Sequence, residues 1–178
     1  MQHESVTAGE LQKAIRNIPN FPKPGIQFKD ITPVLADPRL FRGSIELLTA
    51  PFKPGQVDAV VGIDARGFIF AAGVALKLNA GFVPVRKKGK LPHTTYEQAY
   101  DLEYGTATIA VHTDAFAPGS RVLLVDDLLA TGGTAAAAAQ LVQKAGARIV
   151  EIAFVIELAA LRGRQKLKGW PVRSLVVF

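Results

Sequence analysis

Residues Arg121 to Thr134 read RVLLVDDLLATGGT. Val122, Leu123, Leu124 and Val125 form an apolar run without alternation, the pattern of a strand buried on both faces of a parallel sheet. Asp126 and Asp127 follow at once. A short apolar bridge leads to Ala130-Thr131-Gly132-Gly133-Thr134, and Ala135 to Ala139 then starts a strong helix former. The order is strand, acids, glycine turn, helix. The first amides of a helix lack internal partners and its dipole is positive there, so this order makes an anion site from backbone alone. Gly132 and Gly133 let the chain bend tightly and let a phosphate come close. Thr131 and Thr134 add hydroxyl donors, and Thr134 is placed to cap the helix. The dipole is worth only ~0.3–1 kcal/mol, which leaves the converging donors to carry most of the affinity.

A phosphate pocket repels carboxylates, so Asp126 and Asp127 must face something else. Ribose hydroxyls, a Mg²⁺ ion or a positive charge developing on a sugar ring would each suit them. The Gly-Lys-Ser/Thr ending of a Walker A loop is missing, and so is the GxGxxG of a dinucleotide fold.

Composition bounds the rest. The chain has 178 residues, 49% of them hydrophobic, which suits one domain burying roughly 70% of its unfolded surface. It has no apolar run of about 18 residues, so no membrane span is expected. The N-terminal stretch lacks a basic region followed by an apolar block and does not read as a secretory signal. There is no cysteine, which excludes disulfides and thiolate metal sites and is compatible with a cytoplasmic location. The net charge of +6 admits either nucleic acid or a polyanionic small substrate.

Outward from the central stretch, strands alternate with helices. Ala8 to Asn17 reads as an amphipathic helix stopped by Pro19, and Phe21 to Pro33 as an ordered irregular loop. Asp37-Pro38 opens a second helix. Ala59 to Ile63 is a short buried strand, followed by the turn Asp64-Ala65-Arg66-Gly67 and a helix to about Leu78. Phe82 to Val85 is the next strand. Leu91 to Tyr104 has little periodicity and reads as a long mobile loop. Thr106 to His112 alternates as a half-exposed strand. The central helix runs to about Lys144, Ile149 to Ile156 is a strand interrupted by Glu151, Leu158 to Leu167 is helical, and Val172 to Phe178 is a last strand. This alternation predicts an α/β fold with a central parallel sheet flanked by helices.

Two clusters of charge sit beside strand ends, where ligands bind in such sheets. Arg66 can grip a phosphate with two nitrogens. Arg86, Lys87, Lys88 and Lys90 crowd five residues. Unit charges roughly 4 Å apart interact by about 4 kcal/mol at an effective dielectric of about 20, so the cluster calls for an anion. Lys87 is expected to point away. No aromatic residues are interleaved with these cations, which weakens the nucleic-acid reading.

VLLVDDLLATGGT resembles the signature of type I phosphoribosyltransferases, which bind 5-phosphoribosyl-1-pyrophosphate. Two further stretches resemble the adenine-specific members of that family. Asp101-Leu102-Glu103-Tyr104-Gly105 is similar to their lid, and Phe21 to Ile31 (FPKPGIQFKDI) is similar to the hood that receives the base. The resemblance covers Phe21 to about Leu167 and implies a single phosphoribosyltransferase domain over 1–178, with helix and hood over about 1–35 and a flexible lid over about 91–104.

It also implies residue roles. Ala130, Thr131, Gly132, Gly133 and Thr134 would hold the 5′-phosphate. Arg66, Arg86, Lys88 and Lys90 would meet the pyrophosphate, with a non-proline cis peptide expected at Ala65–Arg66. Gln27 and Lys29 would pair with the base edge through their backbone while Phe28 stacks on the ring. Asp126 and Asp127 would serve the ribose and its charge, Tyr104 would belong to the lid, and Glu103 would assist proton transfer with Asp127 as its rival. The cofactor expected is Mg²⁺, held mainly through substrate and possibly by Asp126 and Asp127. The reaction implied takes adenine and the donor to AMP and pyrophosphate, in a homodimer, in the cytoplasm. Other bases remain open on the residues alone. A non-catalytic sensor would need a DNA-reading module for which one α/β core leaves no room.

Overall fold

Strands β3 (Ala59–Ile63) and β7 (Arg121–Leu129) lie side by side and parallel at the centre of a seven-stranded sheet. Val60, Val61 and Val122 to Val125 are fully buried, as their unbroken apolar runs require. The computed structural model describes residues 5–101 and 105–178. They fall into two compact units, Met1–Leu47 and Leu48–Phe178, divided within a helix (α3, Pro38–Thr49).

In the first unit α1 (Ala8–Ala14) starts with a reciprocal capping box between Thr7 and Glu10. It ends three residues before the predicted Asn17, because β1 (Arg16–Pro19) begins there and pairs antiparallel with β2 (Gln27–Asp30). The stretch expected to be irregular is thus half hairpin. A cis Phe21–Pro22 bond lies between the strands, Asn17 Nδ2 donates to Gln27 Oε1 at 2.8 Å, and the Phe21 and Phe28 rings meet edge to face. Helix α2 (Thr32–Ala36) follows. Val6 packs on the bare Cα of Gly43 in α3, where a Cβ would overlap it.

In the second unit the strand order is β5-β6-β4-β3-β7-β8-β9, with α4 (Gly67–Leu78) after β3, β4 as Gly81–Lys87, α5 (Gly133–Lys144) after β7, β8 as Arg148–Glu157 and β9 as Val172–Val177. From β4 to β9 all neighbours are parallel; β6 (Thr106–His112) and β5 (Thr95–Asp101) add an antiparallel edge. Here the structure corrects the sequence reading. Residues 95–101 of the expected mobile loop are a strand, paired with β6 along its full length, and Tyr96 and Tyr100 pack against the core. Polar Gln98 between them hid the alternation. Leu158 to Leu167 is two 3-10 turns, Ala159–Leu161 and Gly163–Leu167, because Arg162 between them has a left-handed backbone. Glu151 does not interrupt β8, since Arg173 pairs with it at 2.8 Å.

The end of the sheet away from the glycine turns is pinned by one acid. Asp58 receives bonds from the backbone, Nε and Nη2 of Arg121 at 2.7, 2.9 and 2.6 Å, while its own amide donates to the Arg121 carbonyl and its carbonyl accepts from Gly81. The starts of β3, β4 and β7 are thereby tied together. Arg121 holds the Asp58 carboxyl well below the usual carboxylate range. A depressed folded pKa stabilises above the unfolded value of about 4 and is lost as pH falls below it. Melting temperature is therefore expected to hold at neutral pH and fall below about pH 4. Asp58→Asn should lower the neutral plateau and flatten that acid slope, as read by thermal melts across pH.

Candidate active site

A cavity of about 330 Å³ opens at the C-terminal ends of β3 and β7, lined by residues 63–66, Tyr100 and residues 126–135. This is where an open parallel sheet receives ligands. Strand β7 runs four residues further than the apolar run predicts, so Asp126 and Asp127 sit within it rather than after it. Successive strand side chains face opposite ways. Asp127 is buried and its Oδ2 lies 2.9 Å from Nε of Arg66; Asp126 Oδ1 accepts from the Asp127 amide at 2.9 Å. Burial, then the neighbouring Asp127 charge, pushes the Asp126 carboxyl well above the usual range. Burial also raises that of Asp127, against the pull of Arg66. Such a pair favours any positive charge brought into the cavity.

Beyond the acids the chain turns into α5. Gly132 is its N-cap with φ 79°, a left-handed conformation that glycine adopts without penalty. No side chain caps this helix, so Thr134 lies inside the first turn instead of capping it. The leading amides of α5 keep their hydrogen-bonding capacity for the cavity, which Ala130, Thr131, Gly132, Gly133 and Thr134 all line.

The opposite wall is the turn after β3. Its non-proline cis bond is Asp64–Ala65, one bond before the position expected. Gly67 starts α4 against β7: a Cβ there would lie 2.6 Å from Asp126 Oδ1 and 3.2 Å from the Val125 carbonyl. Asp64 accepts from Arg86 Nε at 2.8 Å, and Arg86 also donates to the Lys90 carbonyl at 3.1 Å. Arg86 thus adjoins the cavity wall through Asp64. Lys88 pairs with Glu97 of β5 at 2.8 Å. Neither Lys88 nor Lys90 lines the cavity. Gln27, Phe28 and Lys29 lie on β2 in the first unit. Glu103 and Tyr104 lie outside the described residues.

Three contributors had no individual role assigned from sequence. Tyr100 lines the cavity from β5, Asp64 orients Arg86, and Gly163 packs on the glycine turn from behind. A glycine inside a predicted helix was the one signal for the last.

Among the described residues no group of three or more histidines or acids could hold a metal ion. Two carboxylates, one already paired with Arg66, fit an ion such as Mg²⁺ that keeps its waters and takes most of its ligands from a phosphorylated substrate.

Residues 33–176 match the family described as phosphoribosyl transferase domain. The chain is 61% identical over 169 residues to the adenine phosphoribosyltransferase of Acidothermus cellulolyticus, covering 94% of this chain and 96% of that one. Among solved structures it is similar to the adenine phosphoribosyltransferase of Rhodothermus marinus, at 53% identity and a TM-score of 0.91 over 96% of this chain and 98% of the other. It is also similar to the Saccharomyces cerevisiae enzyme complexed with an imino-altritol bisphosphate and adenine, at 44% identity and a TM-score of 0.90 over 94% and 97%. The fold and the relatives are those of pentosyl-transferring enzymes. The chain belongs to the phosphoribosyltransferase family, and the relatives it matches there are adenine phosphoribosyltransferases.

Gly67→Ala offers a test of the contact between the two walls. The added methyl is expected to push Asp126 away at a cost of about 1–3 kcal/mol, the usual range for overpacking. Urea unfolding would read the stability loss, and product formation by the folded fraction should fall with it.

Proposed function

We infer that the chain transfers the 5-phosphoribosyl group of 5-phosphoribosyl-1-pyrophosphate to adenine, giving AMP and pyrophosphate in purine salvage. The observation that carries this reading is one cavity walled on one side by two adjacent acids, Asp127 of them buried, and a glycine-led helix start and on the other by an Arg66 turn. Ala130 to Thr134 hold the 5′-phosphate by backbone amides and hydroxyls, which fixes the sugar. Asp126 and Asp127 take the ribose hydroxyls and stabilise the cationic charge that grows at the anomeric carbon as the bond to pyrophosphate lengthens. Arg66, with Arg86, Lys88 and Lys90, receives the departing pyrophosphate. Asp126 and Asp127 would help hold a Mg²⁺ ion bound mainly through the donor, which would supply positive charge against that leaving group. Gln27, Phe28 and Lys29 receive adenine, whose N9 attacks the sugar. Glu103 is the proposed proton-transfer group at the purine, with Asp127 as rival, and Tyr104 belongs to a lid that excludes water. The donor, AMP and pyrophosphate are multiply charged and do not cross bilayers unaided, which supports a cytoplasmic reaction beside the pools that supply them. No helix among the described residues is long and apolar enough to cross a membrane.

We also propose a homodimer. Helix α4 turns Ile69 and Leu76 outward, Leu76 being 84% exposed, and Phe82 of β4, also exposed, meets Phe68 of the same helix edge to face. An apolar stripe of this kind is suited to a second copy of the same chain. Leu76→Glu is expected to shift sedimentation from dimer to monomer, and an unchanged dimer would remove this face from consideration.

Mass detection of AMP after mixing the protein with Mg²⁺, the donor and competing purines tests the reaction. AMP is expected, and a different nucleotide in excess would move the base assignment. Asp126→Asn should leave folding intact and cut turnover by orders of magnitude; near-normal turnover would contradict the role of the acids.

A further inference from the structure

The second 3-10 turn lies outside the cavity but touches the glycine turn from behind. Arg162, with φ 53°, swings Gly163 toward residues 130–132. A Cβ on Gly163 would fall on the Ala130 carbonyl, and would lie 2.8 Å from Leu129 Cδ1 and 3.1 Å from the Gly132 nitrogen. A Cβ on Gly132 would in turn fall on the Gly163 carbonyl. The two backbones therefore meet with no side chain between them.

This turn is clamped to the sheet. Arg164 donates to Glu157 through Nε at 2.7 Å to Oε1 and through Nη2 at 2.7 Å to Oε2. Its Nη1 donates to the Val172 carbonyl at 2.9 Å, and Ser174 Oγ donates to Glu157 Oε2 at 2.7 Å. Glu157 is buried at the end of β8, and the next amide, that of Leu158, donates to the Leu129 carbonyl at 2.9 Å. A bidentate pair with a buried acid is a rigid device, and a buried ion pair is weak evidence for stability alone.

We propose that Glu157 and Arg164 are positioning residues for the phosphate loop, acting through Gly163, whose backbone sets the height and tilt of residues 130–132. Neither touches substrate. The inference rests on reading Ala130 to Thr134 as the phosphate-binding loop. Amide donors fixed by backbone contact cannot readjust through rotamers, so a small shift of the supporting turn is passed directly to the anion site.

The test compares binding of ribose 5-phosphate, which uses the loop, with binding of pyrophosphate, which uses the Arg66 side, by calorimetry on folded protein. Arg164→Gln and Glu157→Gln are expected to weaken ribose 5-phosphate roughly tenfold to a hundredfold and leave pyrophosphate unchanged. Arg164→Lys, which keeps the charge without the fork, should fall between. In steady state the donor KM should rise more than kcat falls. Should the Gln variants not fold, Ser174→Ala removes its bond to Glu157 and the 3.4 Å bond it accepts from Arg164 Nη2, and is expected to shift binding in the same direction. Wild-type ribose 5-phosphate affinity in these folded variants, or equal weakening of both ligands, overturns the proposal. The variant Gly133→Asp, whose added Cβ would meet nothing closer than 3.5 Å and whose carboxylate would repel a phosphate at the helix start, separates the two readings. If it loses ribose 5-phosphate while the Arg164, Glu157 and Ser174 variants do not, only the positioning role falls. If it binds normally, the phosphate-loop assignment falls and the positioning role with it.

Discussion

The close approach of Gly67 to Asp126 governs the geometry of the site. Strands β3 and β7 are parallel neighbours, so their C-terminal ends emerge together and each feeds a helix through a polar turn. Two such turns can share a cavity only if the first helix starts tight against the second strand. Gly67 permits this, because any side chain would meet the Asp126 carboxylate or the Val125 carbonyl. The strands cannot slide to make room, since Asp58 and Arg121 lock their opposite ends through side chain and backbone together. A lock at one end and a glycine at the other fix how far apart the two walls stand.

Within that frame the charges are already paired before any ligand arrives. Arg66 lies on Asp127 and Arg86 on Asp64. A net charge of +6 is thus not a loose field around the cavity. Each cation that faces the site borrows an acid as a temporary counter-ion and is held in one place by it. On the proposed reading a polyanion entering this cavity would compete for the guanidiniums, while the acids it displaces would gain sugar hydroxyls or a cation. That exchange keeps the number of buried unpaired charges low throughout, which matters because burying an isolated charge is costly.

The elements that carry the site were legible because their signals are local. An unbroken apolar run, two acids and a glycine pair occupy fourteen consecutive residues, and the same grammar recurs at residues 59–67. The parallel sheet followed from strand–helix alternation. What escaped was non-local or mixed. Strand β5 looked like a loop because Gln98 stands between Tyr96 and Tyr100, and its antiparallel partner becomes evident only in the pairing with β6. The two 3-10 turns looked like a helix because the left-handed Arg162 announces nothing in composition. Thr134 looked like a cap because threonine favours that position, but the left-handed Gly132 took it. Helix α1 stops at Ala14, and the strand that ends it is made by pairing with residues 27–30, too distant for a helical window to register.

Recognition by backbone and recognition by side chain carry different constraints in this chain. A phosphate held by the first amides of α5 is insensitive to the identity of most nearby side chains, so the loop can be disturbed only by moving its backbone. That explains why its neighbours are glycines in direct contact and why a buried acid and a bidentate arginine stand behind them. The β1–β2 hairpin in the other unit is built the opposite way. Its strands are four residues each, joined by a proline-braced turn and a side-chain bond from Asn17 to Gln27. Substitution there alters the surface offered without moving a sheet. On the proposed reading a chain organised so could change what it accepts at the hairpin while the phosphate loop stays fixed by the backbone contacts of its own unit.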